Sequence, residues 1–164
     1  MMFPLIVIVA GVVGTLLMTG TMWFIHRSGW ANADMTRALG SLVTRRYENS
    51  LLPGFALQMA GGIVFAVFYL LIMRTLSLES MGTALAVGAA LGTFHGAAMS
   101  FILMALVAET HPVERFRTAG VDVGAAHIAG HVAYGLGVGL VAGWLGTGQS
   151  QPTTALIRSW LGMG

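Results

Sequence analysis

An all-α fold, specifically a transmembrane four-helix bundle with a short interfacial helix, is predicted by three features. These are the hydropathy of the chain, four long uncharged stretches, and small residues repeated at helical spacing. Of 164 residues, 56% are hydrophobic and only 9% are charged, too few charges to cover a water-soluble domain of this size. Lipid is the solvent that this composition implies.

A spanning helix needs about 20 mostly apolar residues to cross roughly 30 Å of hydrocarbon. Four segments qualify: Pro4 to Phe24, Pro53 to Met73, Met81 to Ala108 and Gly124 to Gly146. Their interiors contain no Arg, Asp or Glu, and Gln58, His95, His127 and His131 are the strongly polar residues within them. A water-soluble helical domain would need a polar face on each helix, and these segments have none. The first 24 residues lack a positive n-region and a small-residue cleavage site, so they are read as a mature helix. Residues 1–148 are therefore expected to form one transmembrane domain. Residues 149–164 read as a periplasmic tail, in which Pro152 opens a turn and Leu156, Ile157, Trp160 and Leu161 share one side of a short interfacial helix.

Arginine placement predicts orientation. The connections after the first and third spans hold Arg27, Arg37, Arg45, Arg46, Arg115 and Arg117, against Arg74 and Arg158 on the other side. By the positive-inside rule the long loops are cytoplasmic and both termini lie outside, as expected for a multi-pass protein of a bacterial inner membrane. Trp23, Trp30, Tyr47 and Trp144 fall near the interfaces, where amphipathic rings prefer to sit. In the first long loop, Asn32 or Asp34 can cap a helix whose Met35, Leu39, Leu42 and Val43 recur at helical spacing, while Arg37, Arg45 and Glu48 take other faces. This pattern predicts a short helix lying on the cytoplasmic membrane surface.

In lipid, helices associate through close backbone approach rather than hydrophobic expulsion. Ala84, Gly88, Gly92, Gly96 and Ser100 repeat every fourth residue in the third span, and His127, His131, Gly135, Gly139 and Gly143 do so in the fourth. Gln58, Gly62 and Ala66 make a shorter stripe on the second. These stripes are read as packing faces. The Gly135 to Gly139 run lacks the third glycine and the preceding strand of a dinucleotide-binding turn. Gly14-Thr15 and Met18-Thr19 are echoed by Gly92-Thr93 and Met99-Ser100, and Gln58-Met-Ala-Gly by His127-Ile-Ala-Gly, which would suit two similar hairpins as well as chance.

Ala10-Gly11-Val-Val-Gly14-Thr15, Ala38-Leu39-Gly40-Ser41, Pro53-Gly54-Phe55, Phe65-Ala66 to Tyr69 and His131-Val-Ala-Tyr134-Gly135 together resemble a family of small four-span bacterial membrane proteins of unknown function. The likeness covers most of the chain. It implies fold and location but no reaction, and histidine is often found in such relatives where this chain has Gln58, which weakens any metal site carried over from them.

Chemistry is limited by what is absent. With no cysteine there are no disulfides or thiolate ligands, and a net charge of +2 from eight dispersed arginines does not make a nucleic-acid surface. Neither a Ser, His and carboxylate arrangement nor a pair of intramembrane carboxylates stands out, so catalysis is disfavoured. Histidine carries the remaining candidates. His127 and His131, four residues apart, can point the same way, and His111, Glu109 or Asp34 could add a further metal ligand. His95 near the midplane and His131, about 10 Å in from Gly124, are the pair that could hold a cofactor such as haem, with several ångströms of depth between them. Hydrogen bonds to Thr15, Thr19 or Ser100 for His95, and to Glu109, Asp34 or Thr19 for the other two, are the simpler expectation. Haem, a pigment or a metal all stay chemically open, and none is predicted. The expected function is a small membrane subunit that packs its glycine faces against copies of itself or a larger, energy-converting complex. The alternative is a channel or transporter for a proton, metal ion or small solute, working through the intramembrane histidines and Gln58.

Overall fold

The computed structural model describes residues 2–78 and 80–145. The helix expected within residues 149–164 and the tail itself lie outside the described residues. Four helices are long and apolar enough to cross a membrane, and the chain is all-α among the described residues. They are α1 (Met2–Arg27), α3 (Leu51–Thr75), α4 (Met81–Ile102) and α5 (Val121–Trp144), with α2 (Met35–Thr44) in the first long connection.

The boundaries follow from end chemistry. Pro4 and Pro53 lie in the first turns of α1 and α3, where a missing N–H leaves no helical bond unmade. Asp34 caps α2 by accepting from the backbone N–H of Arg37. Ser80 and Thr83 form a reciprocal capping box at the start of α4. Asp122 in the first turn of α5 and His26 with Arg27 in the last turn of α1 complement the helix dipoles. The third span winds nearly as far as expected but changes form at its far end. Its α-helix stops at Ile102 and gives way to a π-helical turn, Leu103–Val107, and α5 begins at Val121 rather than Gly124.

The helices do not pack as an even square. α5 is the central element and lies against both α4 and α1, α3 leans on α1, and the backbones of α3 and α4 come close at few points. Small residues make the close seams. A Cβ added to Gly88 would stand 2.2 Å from the carbonyl oxygen of Gly135, and one on Gly135 1.9 Å from that of Gly88. Gly92 and Gly96 face His131 and Ile128, Gly139 faces Ala84, and Gly143 faces Met81. Across the other seam Gly62 meets the Thr15 hydroxyl and Gly11 meets the backbone of Ile63. The echo between hairpins does not extend to surroundings: Thr15 is fully buried, whereas Thr93 is exposed and donates to its own helix at the carbonyl of Ala89.

The two ends of the bundle differ. Away from the arginine-rich loops, Val7, Ala10, Leu70, Met73, Val138, Val141 and Ala142 form a closed core with Tyr69 and Tyr134. At the arginine-rich end, α2 docks on the start of α3. A Cβ on Gly40 would fall 1.9 Å from the carbonyl oxygen of Ser50, and one on Gly54 1.8 Å from that of Thr36. Ala38, Gly40 and Ser41 are buried in this seam while Leu42 and Val43 face outward. The short helix therefore does more than lie on a surface: it covers the end of the bundle.

Candidate functional site: a histidine-lined cavity under α2

Because α3 and α4 stand apart, a partly enclosed cavity of about 320 Å³ remains between them. Gln58, Gly61, Gly62 and Phe65 of α3 wall one side and His95, Met99 and Ile102 of α4 the other. His127, His131 and Tyr134 of α5 form the back, with Met18 and Met22 of α1 beside them. Met35, Ala38 and Leu39 of α2, together with His111 and Phe116, close the arginine-rich end. Among the described residues the walls hold no Arg, Asp or Glu.

Its inner end is a cluster of rings. The centroids of His95 and His131 are 4.5 Å apart, edge to face, and those of His127 and His131 are 4.6 Å apart. Phe65 stacks obliquely on His95 at 4.2 Å, and Tyr69 meets Tyr134 edge-on at 5.3 Å. The Tyr134 hydroxyl donates to the Gly62 carbonyl at 2.6 Å, tying α5 to α3 at the base of the cavity.

These bonds fix the tautomers. A carbonyl only accepts, so His131, whose Nδ1 lies 3.0 Å from the His127 carbonyl oxygen, carries its proton on Nδ1 and leaves Nε2 as an acceptor. The Tyr69 phenol is buried, and its one partner among the described residues is His95 Nδ1 at 3.3 Å. A buried hydroxyl needs an acceptor, so Tyr69 donates to Nδ1 and the His95 proton sits on Nε2. The Nδ1 of His127 is buried without a hydrogen-bond partner among the described residues. Gln58 is engaged on both sides: its Nε2 donates to Thr19, and its Oε1 accepts from Thr36 of α2.

Several expectations are corrected here. Sequence counting separated His95 and His131 in depth, but the structure puts their rings in contact, leaving no gap between them for a porphyrin plane. The partner of His95 is Tyr69 rather than Thr15, Thr19 or Ser100. The hydroxyl of Ser100 donates instead to the carbonyls of Gly96 and Gly124. His131 bonds its own helix and not Glu109, Asp34 or Thr19. His111 reaches the same cavity but is held by backbone: its Nε2 donates to Ala38, and its Nδ1 accepts from the Val113 N–H. Glu109 is exposed. Among the described residues, no three His, Cys, Asp or Glu side chains are arranged to hold a metal ion.

The cover over the cavity is held by polar contacts outside the spans. Besides the bond from His111 to Ala38, Asn32 donates to the Arg115 carbonyl, joining the loop before α2 to the loop before α5. Tyr47 lies between the guanidinium groups of Arg37 and Arg115, 4.8 and 4.5 Å from its ring centroid, and donates to Asp34. Burial, reinforced by that bond to the Asp34 carboxylate, pushes the Tyr47 phenol above its ordinary pKa. A second recess, between the end of α1 and the start of α3, contains His26 and Asp34. Asp34 is already committed there to Tyr47 and the α2 cap.

Tyr69, Tyr134 and the methionines were not read from sequence as site residues. Tyrosine and methionine in apolar helices look like ordinary core, and only the separation of α3 from α4 turns them into walls. No protein-family model matches the chain, and no curated protein or solved structure is similar to it.

Proposed function

We propose that this protein binds a small, uncharged, largely apolar molecule within the membrane, as the binding step of a small-solute carrier. The observation that carries this reading is the cavity itself: a bundle packed backbone against backbone at its α4–α5 and α1–α3 seams keeps an open space with uncharged polar groups at its inner end. A volume of about 320 Å³ sits at the low end of ligand pockets, which run from roughly 300 to 1,000 Å³. It is far more room than one metal ion needs. No carboxylate is present to neutralise a cation and no arginine to neutralise an anion, and an unpaired charge in this setting would be costly. The closed core around Leu70 and Val138 blocks the other end, so the occupant would be reached from the gap between α3 and α4 or from beneath α2. With the termini outside a bacterial inner membrane, the route beneath α2 opens on the cytoplasmic side.

Assembly as a subunit with copies of itself or a larger membrane complex is the other reading. The glycine stripes that suggested it are occupied within the chain, so they no longer argue for a partner.

The test uses Gly61, which lines the cavity and where an added Cβ meets nothing within 4 Å. Gly61→Phe should fold and fill the space. Propylbenzene at about 100 times its Kd should raise the unfolding temperature of purified wild type by roughly 5–10 °C, from about 2.7 kcal/mol of linked stabilisation. It should do nothing for Gly61→Phe. Equal shifts in both proteins, or no shift in either, would contradict the reading.

A further inference from the structure

Resting on the reading of the cavity as a ligand site, we infer that its occupant is a phenol-class molecule: an aromatic ring carrying a hydroxyl, recognised jointly by His95 and His131. The tautomers specify the polar half. His95 presents an Nε2–H donor and His131 an Nε2 acceptor, each fixed from behind by a bond at Nδ1. The two rings are in edge-to-face contact, yet no hydrogen bond joins them among the described residues. That donor and that acceptor, on two rings in contact, match a hydroxyl, which gives one hydrogen bond and receives another. A ketone or ether could satisfy only His95, and a hydrocarbon neither.

The rest of the wall specifies the body. Met18, Met22, Met35 and Met99 surround the space with polarisable thioethers, and Phe65, Phe116 and Tyr134 add ring faces and edges. Thioethers and ring edges both make favourable contacts with an aromatic guest. An apolar cavity of roughly 150 Å³ holds one benzene. About 320 Å³ therefore admits a ring with a short substituent, or two fused rings, but no long acyl chain wholly inside.

The experiment compares 4-propylphenol with propylbenzene, which differ by the hydroxyl alone, in binding to the purified full-length protein. Wild type should bind the phenol at least ten-fold more tightly after correction for partition into detergent. His95→Phe and His131→Phe should lose that preference while still binding propylbenzene, a result that also shows the variants are folded. Equal affinity for both compounds in wild type would overturn the inference and leave the ligand site standing. A preference that survives in both histidine variants would overturn it too. If neither compound bound wild type, the ligand-site reading itself would fall. Stabilisation by Cu(I) alone, abolished in His131→Phe, would replace both with a soft-metal site.

Discussion

Leucine at Gly135 is expected to destabilise the bundle by about 3 kcal/mol or more, the upper range for overpacking. The reason is that the obstacle is backbone. The new Cβ would stand 1.9 Å from the Gly88 carbonyl oxygen and 2.8 Å from its carbon, and neither can rotate away as a side-chain tip would. α4 and α5 would have to separate along the seam where Gly88, Gly92, Gly135 and Gly139 bring their backbones together, giving up contacts that take the place of hydrophobic expulsion in lipid. For a chain of this size the unfolding temperature in detergent should drop by roughly 6–12 °C. Gly20→Leu is the control, since nothing lies within 4 Å of its added Cβ, and it should stay within about 0.5 kcal/mol of wild type. A Gly135→Leu protein that unfolds together with Gly20→Leu would show that this seam does not hold the bundle.

The second large effect is expected at Gly54, and it should separate cover from bundle. A Cβ there would come within 1.8 Å of the Thr36 carbonyl oxygen, so Gly54→Leu must push α2 off the start of α3. Thr36 would then lose its bond to Gln58, and Ala38 its bond from His111. The close seams between α4 and α5 and between α1 and α3 are made by other residues. Hydrogen exchange should therefore rise across α2 by at least ten-fold while the amides of α5 keep their protection, and propylbenzene binding should weaken because one wall has left. Unchanged exchange in α2 would mean that it is not docked through Gly40 and Gly54. Loss of protection throughout would mean that the cover and the bundle fold as one unit.

The four spans were legible because lipid leaves backbone polar groups no alternative to helices of sufficient length, and a run such as Leu51–Thr75 announces itself by composition alone. The meeting of His95 and His131 was not legible, and the cause lies at the helix ends. Counting back from Ala108 puts His95 about 20 Å from the arginine-rich end, and counting from Gly124 puts His131 about 10 Å from it. With α5 starting at Val121, His131 lies about 15 Å from that end, and the π-helical turn Leu103–Val107, which rises less per residue than an α-helix, brings His95 nearer to it than the count from Ala108, so the mismatch shrinks. A π-helical turn has no signature in residue spacing that would have revealed it. The docking of α2 was hidden for another reason. Its periodicity marks an apolar face but not what that face meets, and Gly40 and Gly54 become neighbours only once the chain has turned between them. The separation of α3 from α4 is likewise a property of four helices together, and the cavity follows from it.

Whether the space among Phe65, His95, His131 and Tyr134 is a ligand site is decided by an experimental structure of the protein with 4-bromophenol, located by bromine anomalous scattering. One bromine peak is expected inside the cavity, with the phenol oxygen within hydrogen-bonding distance of His95 Nε2 and His131 Nε2. Bromine found only on the lipid-facing surfaces of the helices, with α3 and α4 closed against each other, would contradict it.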